Sequence, residues 1–159
     1  MSGTSLKSTR NLPSFRPAKL SDAGFVLGLV RDFYRKSGGI YGIPFDSAST
    51  FQTINTTIVQ GVCLVGPSST AGAIFNFSPF NHSAVVAQVL FWFFKSAREI
   101  RILDEMKRAC ANAGATHLCC ASHFPENRIG RHYERLSMKP IEQWHMTELE
   151  MACNPHRKE

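Results

Sequence analysis

Apolar residues recur along the chain at two different spacings, and the change from one to the other marks out its elements. Between Ser21 and Tyr34 the spacing is three and four. Phe25, Val26, Leu29, Val30, Phe33 and Tyr34 make one stripe of a helix, with Ser21 as its cap, Asp22 in its first turn and Gly38-Gly39 as its stop. Before it, Ser14-Phe15-Arg16-Pro17-Ala18 reads as a short extended piece, because Pro17 keeps Arg16 out of helical geometry. Ile40 to Asp46 contains Gly42 and Pro44 and reads as a loop. A weaker helix follows, capped by Ser47 or Ser49, with Phe51, Ile54 and Ile58 on one side.

From Gly61 onward the runs shorten and become strand-like. Val62-Cys63-Leu64-Val65 is a compact buried strand closed by Gly66-Pro67-Ser68-Ser69. Ala71 to Phe77 is the next strand, Pro79-Phe80-Asn81-His82-Ser83 makes a turn, and Ala84 to Phe94 is a long strand rich in valine and aromatics. Short turns join the three, so they form an antiparallel meander. Ala97 to Ala113 returns to the helical period, with Ile100, Leu103, Met106 and Cys110 as its seam and Gly114 just past its end. Thr116 to Ser122 is a near-continuously apolar strand, Arg128 to Leu136 a last helix and Ile141 to Met151 a last strand.

The order β-α-α-β-β-β-α-β-α-β predicts an α+β fold, layered like α/β/α. Its mixed, mostly antiparallel central sheet has about six strands, with helices on both faces. Residues 84–122 form a strand, a crossover helix and a parallel strand, a unit that is right-handed. It sets a helix N-terminus at the carboxyl end of the long strand, where open α/β sheets take anionic ligands.

Composition narrows the picture. With 159 residues, 43% hydrophobic and 19% charged, the chain is globular rather than disordered and suits a single domain. That domain is expected over residues 14–151, between a polar, disordered Ser/Thr-rich leader at 1–13 and a polar tail at 152–159. The longest apolar run, Val89-Leu90-Phe91-Trp92-Phe93-Phe94, is far short of the roughly 20 residues that span a bilayer. Five cysteines, an odd number without CxxC spacing, fit reduced thiols in a soluble cytoplasmic protein. Eighteen Lys and Arg against 12 Asp and Glu give a net charge of +6, which favours an anionic partner: nucleic acid, a phosphorylated cofactor or an acidic protein surface.

The stretch Asn127-Arg128-Ile129-Gly130-Arg131-His132-Tyr133-Glu134-Arg135-Leu136-Ser137-Met138, with Lys139-Pro140-Ile141-Glu142 leading into the last strand, resembles the "N…YE+LGF" signature of the GNAT superfamily of acyl-CoA-dependent N-acyltransferases. Leu103-Asp104-Glu105-Met106 through Ala113-Gly114-Ala115 resembles the family's "LL…A…GA" helix, and the resemblance runs over roughly residues 14–150. It implies an acetyltransferase (EC 2.3.1 type) that moves an acetyl group from acetyl-CoA to a primary amine of a small molecule or protein. In the family the fourth and fifth strands splay and the pantetheine arm lies between them. The resemblance therefore assigns the backbone of Phe91, Trp92 and Phe93 to that arm, and Lys95, Ser96, Ala97 and Arg98 to the pyrophosphate. Tyr133 matches the tyrosine that protonates the departing CoA thiolate, and Asn127 falls near the asparagine that contacts the cofactor, at a spacing one residue short of the commonest form. His123, at the end of its strand, is a candidate base or substrate contact, and His82 a weaker one. Small members of this kind resemble acetyltransferase-like proteins of bacteriophages, which would place the chain in a host cytoplasm.

One departure opens an alternative. The family's pyrophosphate loop has small residues where this chain has Arg98 and Ile100. Either Lys95, Arg98 and Arg101 compensate through side-chain contacts to phosphate, or the site is degenerate and the protein is a non-catalytic binding protein acting through protein or nucleic-acid contacts. Arg101 also reads as part of a solvated helix face, with Glu99, Asp104 and Glu105 interleaved among the basic residues. The aromatic stripe Phe75, Phe77, Phe80 and Phe91 to Phe94 lacks interleaved cations and reads as core, so nucleic acid is not an expected partner. Strand alternation sends Cys119 and Cys120 to opposite faces, away from joint chelation with His117 or His123, so no metal site is expected. A single terminal strand where the family has two leaves a sheet edge on which a homodimer could form.

Overall fold

The short apolar runs pair in chain order. In the computed structural model, which describes residues 14–37, 43–121 and 128–139, five strands lie side by side in one sheet: β1 (Arg16–Pro17), β2 (Val62–Val65), β3 (Ser69–Ser78), β4 (Asn81–Phe94) and β5 (His117–Cys120). The helices are α1 (Ala23–Lys36), α2 (Ser47–Gln60), α3 (Ile102–Asn112) and α4 (Arg128–Arg135). Neighbours from β1 to β4 are antiparallel and β4–β5 is parallel, as expected when α3 crosses over between them. The sheet is mixed and mostly antiparallel, with five strands among the described residues. The sixth strand expected over Ile141 to Met151, the leader at 1–13 and the tail at 152–159 lie outside them. The chain divides into two compact units, Met1–Pro125 and Glu126–Glu159.

In the first unit, register sorts side chains to two faces. Cys63 and Val65 of β2, with Phe91 of β4, meet Ala23 and Val26 of α1 and Ile54 of α2. Gly72 lies between Cys63 and Phe91 in that register, and a Cβ there would stand 2.3 Å from the Phe91 ring. The glycine lets the aromatic ring lie on the strand surface. Alternation turns Leu64 and Ala71 to the other face, where α3 buries Ile102, Leu103, Met106 and Cys110. Burial pushes the thiols of Cys63 and Cys110 up to about 11, so both stay protonated at neutral pH.

Three helix starts differ from the sequence expectation. Ser21 does not cap α1. A 3-10 turn at Leu20–Asp22 precedes the helix, and the Asp22 carboxylate accepts from the Lys19 N–H at 2.7 Å and from both terminal nitrogens of Arg16 at 2.7 and 2.8 Å. That bidentate pair holds the Asp22 carboxyl well below the usual carboxylate range and fixes the corner between β1 and α1. Asp46, rather than Ser47 or Ser49, caps α2 by accepting from the Ser49 N–H at 2.6 Å. The third helix begins as a 3-10 turn at Ala97–Arg101 and becomes α-helical only at Ile102. Phe25 and Phe51 are exposed (45% and 40%), because the buried centre of each stripe falls on Ala23, Val26 and Leu29 in α1 and on Ile54 and Thr57 in α2.

Two helix ends share one device. After α3, the Gly114 N–H reaches the Ala111 carbonyl and the Ala115 N–H the Cys110 carbonyl, each at 3.0 Å, with Gly114 at φ +94°. In the second unit, the Ser137 N–H reaches Glu134 and the Met138 N–H reaches Tyr133, both at 2.9 Å, with Ser137 at φ 59°. Both are Schellman ends, which favour glycine at the left-handed position. In YERLSM, Ser137 stands where the family's signature has that glycine. Ser137→Gly is therefore expected to stabilise the protein by about 0.5–1 kcal/mol. A thermal melt checks it: the midpoint should rise by roughly 2–4 °C, and an unchanged or lowered midpoint would contradict it.

Candidate functional site

The site begins with an irregularity in β4. Gly72 pairs with Phe91 while Ala73 pairs with Val89, so Leu90 is an extra residue without a partner on β3. A β-bulge of this kind bends its strand and raises the local twist. Pairing between β4 and β5 stops at the same place: Val89–Cys120 is the final pair among the described residues, while β4 runs on to Phe94. The segment that would face Phe91 to Phe94 across the expected splay lies outside the described residues.

Register also decides which backbone groups of this part of β4 turn away from β3. The Lys95 N–H donates to the Ser68 carbonyl at 3.1 Å, on the β3 side. Alternation then commits the N–H and C=O of Phe93 and Phe91 to β3 and turns those of Trp92 and Phe94 away from it. Of the expected contacts Phe91, Trp92 and Phe93, only Trp92 therefore directs its backbone outward. Phe94, absent from that expectation, faces the same way. Upstream of the bulge the odd residues point to β5, as the Val85 carbonyl does in accepting from the Thr116 N–H at 2.8 Å.

Beyond Phe94 the chain turns through Lys95-Ser96 into the 3-10 segment. The Ser96 side chain accepts from the Arg98 N–H at 3.4 Å, and its carbonyl accepts from the Glu99 N–H at 2.8 Å. Ala97 is the first residue of the segment, so its N–H has no carbonyl within the turn to bind. Arg98 is exposed and its guanidinium has no ion-pair partner among the described residues, whereas Ile100 is half-buried. The bulky residues in place of the family's small ones thus sit in a 3-10 turn, with Arg98 directed to solvent. Lys95 does not extend freely: its ammonium lies 2.8 Å from the Asp32 carboxylate of α1.

Arg101 is exposed, as the solvated-face reading has it, but Glu99 does not share that face. It is 3% exposed, and its carboxylate accepts from the Ser68 N–H at 2.8 Å, the Ser69 hydroxyl at 3.3 Å and the Ser68 hydroxyl. This buried acceptor ties the Lys95–Arg98 turn to the β2–β3 turn. The sequence held the signal, since Glu99 lies four residues before Leu103 and seven before Met106, on the apolar stripe.

The remaining candidates are scattered or undescribed. Tyr133 lies on α4 in the second unit, half-buried, and its carbonyl takes part in the Schellman end. His123 and Asn127 lie outside the described residues. His82 is exposed on β4, which begins at Asn81, rather than in the turn expected before that strand, and His117 meets the Thr116 hydroxyl at 2.8 Å. Cys119 and Cys120 are both half-buried on β5. No group of three or more His, Cys, Asp or Glu that could hold a metal occurs among the described residues. None of their helices is long and apolar enough to cross a membrane.

No family model matches the sequence, and no curated protein matches it. Solved structures do. A predicted acetyltransferase with acetyl-CoA from Clostridium acetobutylicum is similar over 86% of this chain and 96% of its own, at TM-score 0.67 and 13% identity. Glucosamine-6-phosphate N-acetyltransferase from Arabidopsis thaliana matches over 87% of this chain and 99% of its own, at TM-score 0.62 and 12% identity. An aminoglycoside N-acetyltransferase in complex with CoA matches over 92% of this chain and all of its own (100%), at TM-score 0.62 and 12% identity. The sheet order and the parallel β4–β5 pair are thus set in a shared architecture: this chain has the fold of the GNAT-type acetyltransferases.

Proposed function

We propose that the protein is an N-acetyltransferase that moves the acetyl group of acetyl-CoA onto a primary amine. The observation that carries this reading is the fold the chain shares with acetyltransferases, two of them solved with acetyl-CoA or CoA, together with the bulge at Leu90 in β4. The outward-facing backbone of β4 would take the pantetheine arm. The N–H groups of Ser96 and Ala97, with the Arg98 guanidinium, would take the pyrophosphate. The amine nitrogen attacks the thioester carbonyl to form the C–N bond of a tetrahedral intermediate, gives up its proton to His123 as base or to water, and the intermediate collapses as the C–S bond breaks. Tyr133, assigned by its match to the family's tyrosine, gives its proton to the departing sulfur. Asn127 and His123 keep their proposed roles as cofactor contact and as base or acceptor contact. A cytoplasmic setting is proposed on the odd cysteine count without CxxC spacing.

Calorimetric titration with acetyl-CoA tests this directly. One-to-one binding with a dissociation constant between about 1 μM and 1 mM is expected, the range typical of enzyme substrates. No heat at millimolar acetyl-CoA would overturn the reading and favour a binding protein whose cofactor site has been lost to Arg98 and Ile100.

A further inference from the structure

Lys95 stands at the junction of β4 with the 3-10 segment, beside the backbone turn just assigned to phosphate, yet its ammonium is already engaged. It lies 2.8 Å from the Asp32 carboxylate, with the two side chains 47% and 37% exposed. The pair holds the Asp32 carboxyl below its usual range, first through the Lys95 contact itself and further through the charges of Arg31 and Lys36. Lys36 also reaches across the same patch, its ammonium 5.6 Å above the Phe93 ring, and Phe33 packs on that ring at 5.8 Å. Asp32 is therefore set among three cations, of which only Lys95 belongs to the phosphate-side turn.

We propose that Asp32 is an internal counter-ion that the phosphates of CoA displace: Lys95 is held by Asp32 in the free protein and is handed to the anionic cofactor when it binds. The inference rests on the function proposed above. Three features make the exchange favourable. An ion pair this open to solvent is screened and held weakly, so little opposes its opening. A phosphate group carries more charge and more acceptor oxygens than the carboxylate it replaces, and charge-assisted bonds to it are correspondingly stronger. Arg31 and Lys36 remain beside Asp32 when Lys95 leaves, so the carboxylate is not stranded without a cation. Asp32 thus acts as a positioning residue. It keeps the lysine stem laid toward α1, beside the end of β4, and it lowers cofactor affinity by the strength of the pair.

The consequence has a sign opposite to that of an ordinary supporting contact. Asp32→Asn should tighten CoA binding by about 2- to 5-fold, the equivalent of the pair's own strength. Lys95→Met should weaken binding by about 10-fold, as loss of one charge-assisted phosphate bond does. In the Lys95→Met background, Asp32→Asn should have no further effect, because Asp32 acts only through that lysine.

Calorimetric titration of CoA into the wild-type protein, the two single variants and the double variant reads all three outcomes. Tightening by Asp32→Asn that vanishes in the double variant supports the exchange. Equal tightening in both backgrounds would overturn it in favour of simple repulsion between Asp32 and the phosphates. Unchanged or weakened binding by Asp32→Asn, with the thermal midpoint preserved, would overturn it in favour of a merely structural pair. Absence of CoA binding in all four proteins would overturn the proposed function and the exchange with it.

Discussion

Replacing Tyr133 by phenylalanine is expected to lower turnover about 100-fold while leaving affinity for acetyl-CoA within about twofold. The expected size follows from the chemistry of the leaving group. A thiolate leaves with less need of protonation than an alkoxide or an amide does, so general-acid assistance, which spans about 10²–10⁴-fold, belongs at its lower end. Phenylalanine keeps the ring and leaves the Schellman end of α4 intact, because that end uses the backbone carbonyl of residue 133. The check is the initial rate of CoA thiol release from acetyl-CoA in the presence of a primary amine, set beside a calorimetric titration of the cofactor. A rate within threefold of wild type would assign Tyr133 to packing rather than to proton transfer.

Glu99→Ala is the substitution with the largest expected effect on stability among the described polar residues. The side chain is buried, and its carboxylate serves the Ser68 N–H, the Ser68 hydroxyl and the Ser69 hydroxyl together. Removing it strands three donors, and each buried unsatisfied donor costs about 1–3 kcal/mol. Ser68 is only half-buried, so water can reach part of the site. A net loss of about 2–3 kcal/mol is expected, which lowers the thermal midpoint by roughly 5–10 °C. Glu99→Gln keeps one acceptor and should recover part of that loss. CoA affinity should fall together with stability in Glu99→Ala, because the Lys95–Arg98 turn loses its tie to the β2–β3 turn. A midpoint within 2 °C of wild type would remove Glu99 from the supporting structure of the site.

What the sequence revealed and what it concealed divide along physical lines. Strand and helix positions were legible wherever apolar spacing was strong. β2, β3, β4 and α3 begin or end within a few residues of the expected positions, and the crossover between β4 and β5 followed from chain order. Caps were less legible. Asp22 and Asp46 each compete with nearby serines for the same role, and the choice rests on which oxygen reaches an orphan N–H. Lys95 and Ser96 to Arg98 were legible as a turn after β4, from the end of the apolar run at Phe94. The partners of Lys95 and Glu99 were not. Asp32 lies sixty-three positions before Lys95, and Ser68 thirty-one before Glu99, so only tertiary contact brings them together. Glu99 was misread because charged residues on both sides suggested a wet face, while its phase relative to Leu103 and Met106 pointed inward.

Leu90 has a consequence for which changes the gene can accept. Because this residue has no partner on β3, the two halves of β4 run half a repeat out of step, and Phe91 and Phe93 are delivered to α1 and α2 only through that offset. A codon swap at position 90 alters a 39%-exposed side chain and little else. Loss of the codon would turn over every residue from Phe91 to Phe94, setting the Gly72 ring-rest against the wrong neighbour and exchanging the inward- and outward-facing amides. At this position identity is free and length is fixed, so relatives of this chain should vary in what stands there but not in whether something does.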